Sequence, residues 1–97
     1  MAKSDWKPKI DSVSDVIAAD TWEDRDGGKH RQFLIEIGRP CKLEPEKARS
    51  SWYCPLRIEG EFEGVRPIIG AGPVDALMNA VALVRRVFDR IHEKDWT

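Results

Sequence analysis

The apolar period of this chain changes once, at Gly70-Ala71-Gly72-Pro73, and that change limits the folds open to it. Before it, apolar residues recur every second position. Trp52, Cys54, Leu56 and Ile58 alternate with Tyr53, Pro55, Arg57 and Glu59, which is the pattern of a half-buried strand over residues 52–60. After it, Val74, Leu77, Val81, Val84, Phe88 and Ile91 recur at spacings of three and four, and Met78, Ala80 and Val87 widen the stripe. That is one face of a long helix. Pro73 suits the first helical position, and Asp75 places a negative charge in the first turn, where the helix dipole favours it.

Three further extended segments precede the helix. The first runs from about Val13 to Trp22 and ends in Glu23-Asp24-Arg25-Asp26-Gly27-Gly28, whose Asp-Gly-Gly suits a hairpin turn. The second spans His30 to Leu43, with Phe33, Ile35, Ile37, Cys41 and Leu43 on one parity and Glu36, Gly38, Pro40 and Lys42 on the other. The last, Val65 to Gly70, follows a tight turn at Glu61 to Gly64. Strands followed by a helix predict an α+β domain: a four-stranded antiparallel β-meander with one long C-terminal α-helix packed across one face. The expected organisation is a loosely docked arm over residues 1–12, polar but carrying Trp6, and a single domain over residues 13–97.

Parity also predicts a register. The apolar positions are odd in the second strand and even in the third, so a hairpin centred between Lys47 and Ala48 sets Ile37 against Ile58, Cys41 against Cys54 and Leu43 against Trp52. Pro40 then faces Pro55, and Pro67 faces Ile58 with its nitrogen on the open edge, where a missing N–H is tolerated.

Charge and length exclude several functions. Sixteen Lys and Arg against 17 Asp and Glu leave a formal charge of −1, without the basic footprint of a nucleic-acid binder. The most apolar stretch, Val74 to Val84, contains Asp75 and Asn79 and falls short of the ~20 residues of a membrane span. Lys3, Lys7 and Lys9 are followed by no apolar run of the signal-peptide kind. With two cysteines in the chain, the expected location is the reducing cytoplasm.

Candidate chemistry is sparse. Gly70-Ala71-Gly72 resembles a phosphate loop, but Asp75 stands where a third glycine belongs, Pro73 removes an amide donor, and no β-α-β unit precedes it. Cys41, Cys54, His30 and His92 lack zinc spacing, so no metal or other cofactor is expected; the cysteines read as a cross-strand pair of reduced core thiols, with a disulfide between them as the alternative if oxidised. Asp20, Glu23, Asp24 and Asp26 lack the ligand ladder of a calcium loop. Arg85, Arg86 and Arg90 are offset by Asp89 and Glu93 at three and four residues, as on an ordinary charged helix face. No catalytic constellation is present. Tyr53, Arg57 and Glu59 share the outer face of the third strand and form the one candidate binding surface.

Trp52, Cys54, Leu56, Ile58 and Gly60, then a short strand, a glycine turn and Asp75-Ala76-Leu77 opening the helix, resemble an uncharacterised family of small bacterial proteins. The resemblance covers Trp52 to Phe88, with one residue more between Gly72 and Asp75 than the family's spacing. It implies a bacterial origin and a strands-then-helix layout, and no catalytic residue.

One helix about 10 Å wide cannot cover a four-stranded sheet ~19 Å wide. The remainder needs a cover: the arm with Trp6, the tail with Trp96, or a second copy in a homodimer. Four tryptophans in so short a chain point the same way, since tryptophan is enriched at interfaces. The functional expectation is therefore a small protein-interaction or accessory domain with an unidentified protein partner. The alternative is a small-molecule-binding protein or enzyme using the outer sheet face.

Overall fold

The computed structural model describes residues 10, 12–13, 15–26, 29–43 and 51–92. The strands are β1 (Val16–Asp26), β2 (Lys29–Gly38), β3 (Cys41–Lys42), β4 (Trp52–Glu59) and β5 (Arg66–Gly70), followed by helix α1 (Pro73–His92). All pair antiparallel in one sheet. β2 and β3 lie end to end on one side of β4, with β5 on the other, so the sheet is the predicted meander with its second strand broken in two. The expected arm, apart from Ile10 and Ser12, and the hairpin centre at Lys47 and Ala48 lie outside the described residues.

β1 begins later than predicted and continues through the acidic run. Asp26 pairs with Lys29, leaving two residues for the connection. Cross-strand partners carry the acids: Glu23 meets His30 at 3.2 Å and Asp24 meets Arg31 at 3.4 Å. The Asp24–Arg31 charge pair stands directly across the strands and stabilises the pairing where a bare acidic run would favour a turn.

The break at Arg39-Pro40 corrects the predicted register. Along β2 the pairs are Ile35 with Ile58 and Ile37 with Leu56, so Ile37 does not face Ile58, although the inward parity is as expected. Beyond the break, Cys41 faces Tyr53 rather than Cys54, and Lys42 rather than Leu43 faces Trp52. The physical cause is a shortage of donors. One step past Ile37–Leu56 the ladder would set Gly38 against Pro55, which has no N–H. Pro40 lacks one too, and the Arg39 amide turns the other way to donate to the Asp15 carbonyl at 3.1 Å. One extra residue is absorbed and every later side chain changes face. Pro55 instead faces Pro67, which corrects the expected Pro67–Ile58 pair. Ile68 must meet Cys54 on the helix side, and that register requires it.

The core lies between β2, β4 and the helix: Phe33, Ile35, Cys54, Leu56 and Ile58 against Ala76, Ala80, Val87 and Ile91. α1 seats on β4 and β5. Its start is fastened by Gly72, whose carbonyl accepts from Ala76 N at 2.9 Å, and by Asp75, whose carboxylate accepts from Ala71 N at 2.8 Å. Asn79 Nδ2 donates to the Ile69 carbonyl at 2.9 Å and ties the second turn to β5.

The buried line of α1 keeps Ala80, Val87 and Ile91 of the predicted stripe but is rolled away from its first half. Alanines 76 and 80 face the sheet, while Val74, Met78 and Val81 are 66%, 62% and 47% exposed. The roll follows from Gly70, where a Cβ would lie 2.3 Å from the Ala76 nitrogen. Backbone sits on backbone there, and only small residues fit. Gly70→Ala is expected to destabilise the fold by about 1–3 kcal/mol or more, as overpacking does. A Cβ at Gly72 meets nothing within 4 Å, so Gly72→Ala serves as the near-neutral comparison in urea unfolding. Equal midpoints for the two variants would refute the close-approach account.

Candidate functional site

On the outer face of the sheet the structure brings two of the three predicted binding residues into local pairs. Arg57 stands opposite Glu36, with its Nε 3.7 Å from Oε1, so its charge is balanced across the strands. Tyr53 stands opposite Cys41. Burial pushes the Tyr53 phenol above its ordinary 10.0, and the Cys41 thiol adds to the rise by hydrogen bonding and by its charge when ionised. Glu59 is exposed at the end of β4, opposite Leu34. A matched ion pair, a proton-retaining phenol and an exposed acid two residues beyond Arg57 form a polar surface, not a convergent site.

The predicted thiol pair is separated by the strand break. Both cysteines are free. Cys41 shares the outer face with Tyr53 and donates to the Arg39 carbonyl at 3.3 Å. Cys54 is fully buried on the helix side, and its thiol donates to the Gly38 carbonyl at 3.3 Å. That is the carbonyl Pro55 leaves without a ladder donor, so Cys54 compensates for the proline. Burial, reinforced by the charge Cys41 carries when ionised, lifts the Cys54 thiol from 9.0 to about 11.

The remaining candidates disperse. Asp20 accepts from Thr21 N at 2.8 Å and from Trp22 Nε1 at 2.9 Å, while Glu23 and Asp24 hold the cross-strand partners described above. Arg85 pairs with Asp89 at 3.3 Å as expected, but Arg90 bonds Glu61 in the β4–β5 turn, a partner 29 residues away that helix spacing does not reveal. Among the described residues no three His, Cys, Asp or Glu side chains gather as a metal requires. No described helix is long and apolar enough to cross a membrane.

Among the described residues, two open apolar grooves lie on the helix side. One, about 450 Å³, follows the outward flank of α1 along Leu77, Met78, Val81 and Ala82, with Arg85 at its end. The other, about 270 Å³, lies where the helix leaves β1 and β2 uncovered, bounded by Ala18, Asp20, Trp22, Ile35, Ile37 and Val84 among others. Phe88 closes its far end edge-on against Trp22, ring centroids 4.9 Å apart. Sequence reasoning anticipates incomplete cover but places Val74 and Val81 on the sheet, and so misses the first groove. No family model matches this chain, and neither does any curated protein or solved structure.

The thiols give a direct check. A thiol reagent at pH 8 should modify Cys41 readily and Cys54 only after unfolding, because the reactive thiolate is scarce and buried at Cys54. Cys54's folded-state pKa lies above its unfolded value, so its contribution to stability is complete below pH 9 and is lost as the pH climbs towards about 11. Two equally fast thiols, or a Cys54→Ala variant with unchanged stability loss across that window, would contradict it.

Proposed function

We propose that this chain is a small protein-interaction domain with no chemistry of its own, and that its contact surface is the outward flank of α1. The observation that carries the reading is the exposure of Val74, Met78 and Val81 in one row, continuous with Leu77 and Ala82. An exposed surface seldom keeps an apolar groove of this kind without a use for it. Covering what remains exposed of those three side chains stabilises a complex by roughly 1–2 kcal/mol each, before association costs.

The spacing favours a helical partner. Positions 74, 78, 81 and 85 step by four, three and four, the arrangement in which a second helix lies alongside the first. A second copy of α1 running antiparallel satisfies this self-complementarily, with the apolar first half of each helix shared and Arg85 at the rim. The reading is thus a homodimer surface, with a different helical partner as the competing occupant. The outer face supports a ligand site less well, since Glu36 already balances Arg57.

Sedimentation of the purified chain tests this. The native protein should show a concentration-dependent dimer, and Met78→Asp should weaken it by about tenfold or more per desolvated charge while leaving the unfolding midpoint of the dilute monomer unchanged. A chain that stays monomeric at high concentration, or a dimer indifferent to the substitution, would overturn the reading.

A further inference from the structure

The outward row of α1 carries charge on one of its two shoulders, and that charge is left unmatched within the chain. At about 100° per residue, Val74, Met78, Val81 and Arg85 form the crest of the exposed side, opposite Ala76, Ala80, Val87 and Ile91. Asp75, Ala82 and Arg86 follow one shoulder of that crest, and Leu77, Val84 and Phe88 follow the other. The first shoulder therefore has an acid in the first turn and a base about three turns further on.

Arg86 stands apart from the other helix arginines. Arg85 pairs with Asp89 at 3.3 Å and Arg90 bonds Glu61, whereas Arg86 is exposed and has no ion pair among the described residues. Asp75 is exposed as well. Its Oδ2 accepts from Ala71 N at 2.8 Å, and among the described residues no cation stands against it. A carboxylate has about four lone-pair sites, so Asp75 can take a cation and keep that bond. The two cannot meet within one helix, since they lie about 16 Å apart along its axis.

We propose that Asp75 of one copy meets Arg86 of a second, twice over, across an antiparallel pair of α1 helices, and that these ion pairs set its direction and register. The inference rests on the homodimer reading and adds what selects the arrangement. An antiparallel pair related by a two-fold axis places each shoulder against the same shoulder of the other copy, so the charged side meets itself head to tail. Laying Met78 between Val81 and Ala82 of the second copy brings Asp75 level with Arg85 and Arg86 there. The Arg86 side chain leans towards its own N-terminus and so towards that level. Sliding the copies by one turn separates both pairs by about 5.4 Å. A parallel pair sets the charged shoulder against the Leu77–Val84 shoulder, where nothing balances either charge. An acid and a base at the two ends of one apolar row are complementary to a second copy of that row, and a foreign helix must reproduce the same pattern to match it.

The experiment is sedimentation of the full chain and its charge variants, with circular dichroism of the dilute monomer reporting the fold. Arg86→Glu, at an exposed position, should weaken the dimer by about tenfold, because two attractions become two repulsions. Asp75→Lys should weaken it similarly. An equimolar mixture of the two variants should form a heterodimer about as tight as the native dimer, since each of its pairs again joins opposite charges. The native dimer should also loosen several-fold between about 0.05 and 0.5 M NaCl, and the Arg86→Gln dimer much less. The salt comparison holds even if Asp75→Lys, which loses the bond to Ala71 N, fails to fold. A dimer that Met78→Asp breaks but that Arg86→Glu and salt leave unchanged would overturn the pairing and keep the helix row as the interface. A mixture as weak as its two folded components would overturn it too. A native chain that stays monomeric would overturn the dimer and the pairing together.

Discussion

The close approach of Gly70 to Ala76 determines how the rest of the molecule is arranged. No side chain separates β5 from the first turn of α1 at that point, since a Cβ on Gly70 would fall inside the Ala76 backbone. The helix is therefore seated low and rolled onto its small residues, with Ala80 following Ala76 down to the sheet and Val87 and Ile91 completing the line. The larger residues that would otherwise form the contact are displaced round the cylinder. Leu77 and Val84 become flanking contacts and Val74, Met78 and Val81 reach the surface. An interface of small residues on one face leaves unpartnered apolar surface on another, because the helix carries more apolar residues than one sheet contact can use.

A second constraint acts within the sheet. Three prolines, Pro40, Pro55 and Pro67, remove donors from adjacent strands. Pairing Pro55 with Pro67 disposes of two at once, since a pair that needs no mutual hydrogen bonds directs its nitrogens away from each other. The side of Pro55 facing β2 then lacks a donor for the Gly38 carbonyl, and the Cys54 thiol provides it. A buried carbonyl left unpaired costs about 1–3 kcal/mol, more than a weak thiol donor contributes, so avoiding that penalty matters more than the bond itself. Cys54 is thus a structural residue, and its thiol is held protonated by the burial that makes it useful there.

What is legible in the sequence is whatever periodicity decides. The helix over Pro73–His92, the strand over Trp52–Glu59 and the inward parity of Phe33, Ile35, Leu56 and Ile58 all follow from spacing. What is not legible depends on single backbone groups. The one-residue slip at Arg39-Pro40 comes from an amide that bonds Asp15 instead of β4, and no spacing rule reports where an amide points. The same slip separates Cys41 from Cys54, so the thiol pair and the register are lost for one reason. The exposed flank of α1 is hidden because Val and Met read as core in a periodic stripe, while the contact that sets the roll depends on a glycine in another element. Arg90 and Glu61 are 29 residues apart and belong to no local pattern.

Both grooves have one origin in the width of the sheet. A helix about 10 Å across covers roughly two strands at ~4.8 Å spacing. Seated on β4 and β5 by the Gly70 contact, α1 meets β1 at its margin, where Phe88 packs edge-on against Trp22 and Val84 walls the sheet groove. Ile35 is still buried by its neighbours, whereas Ile37 and Trp22 remain half-covered at the boundary. An open apolar floor is left on the sheet, and the helix's outward row leaves a second open apolar surface. The two grooves differ in chemistry: Asp20 and Trp22 line the one on the sheet, whereas the helix row presents aliphatic side chains up to Arg85.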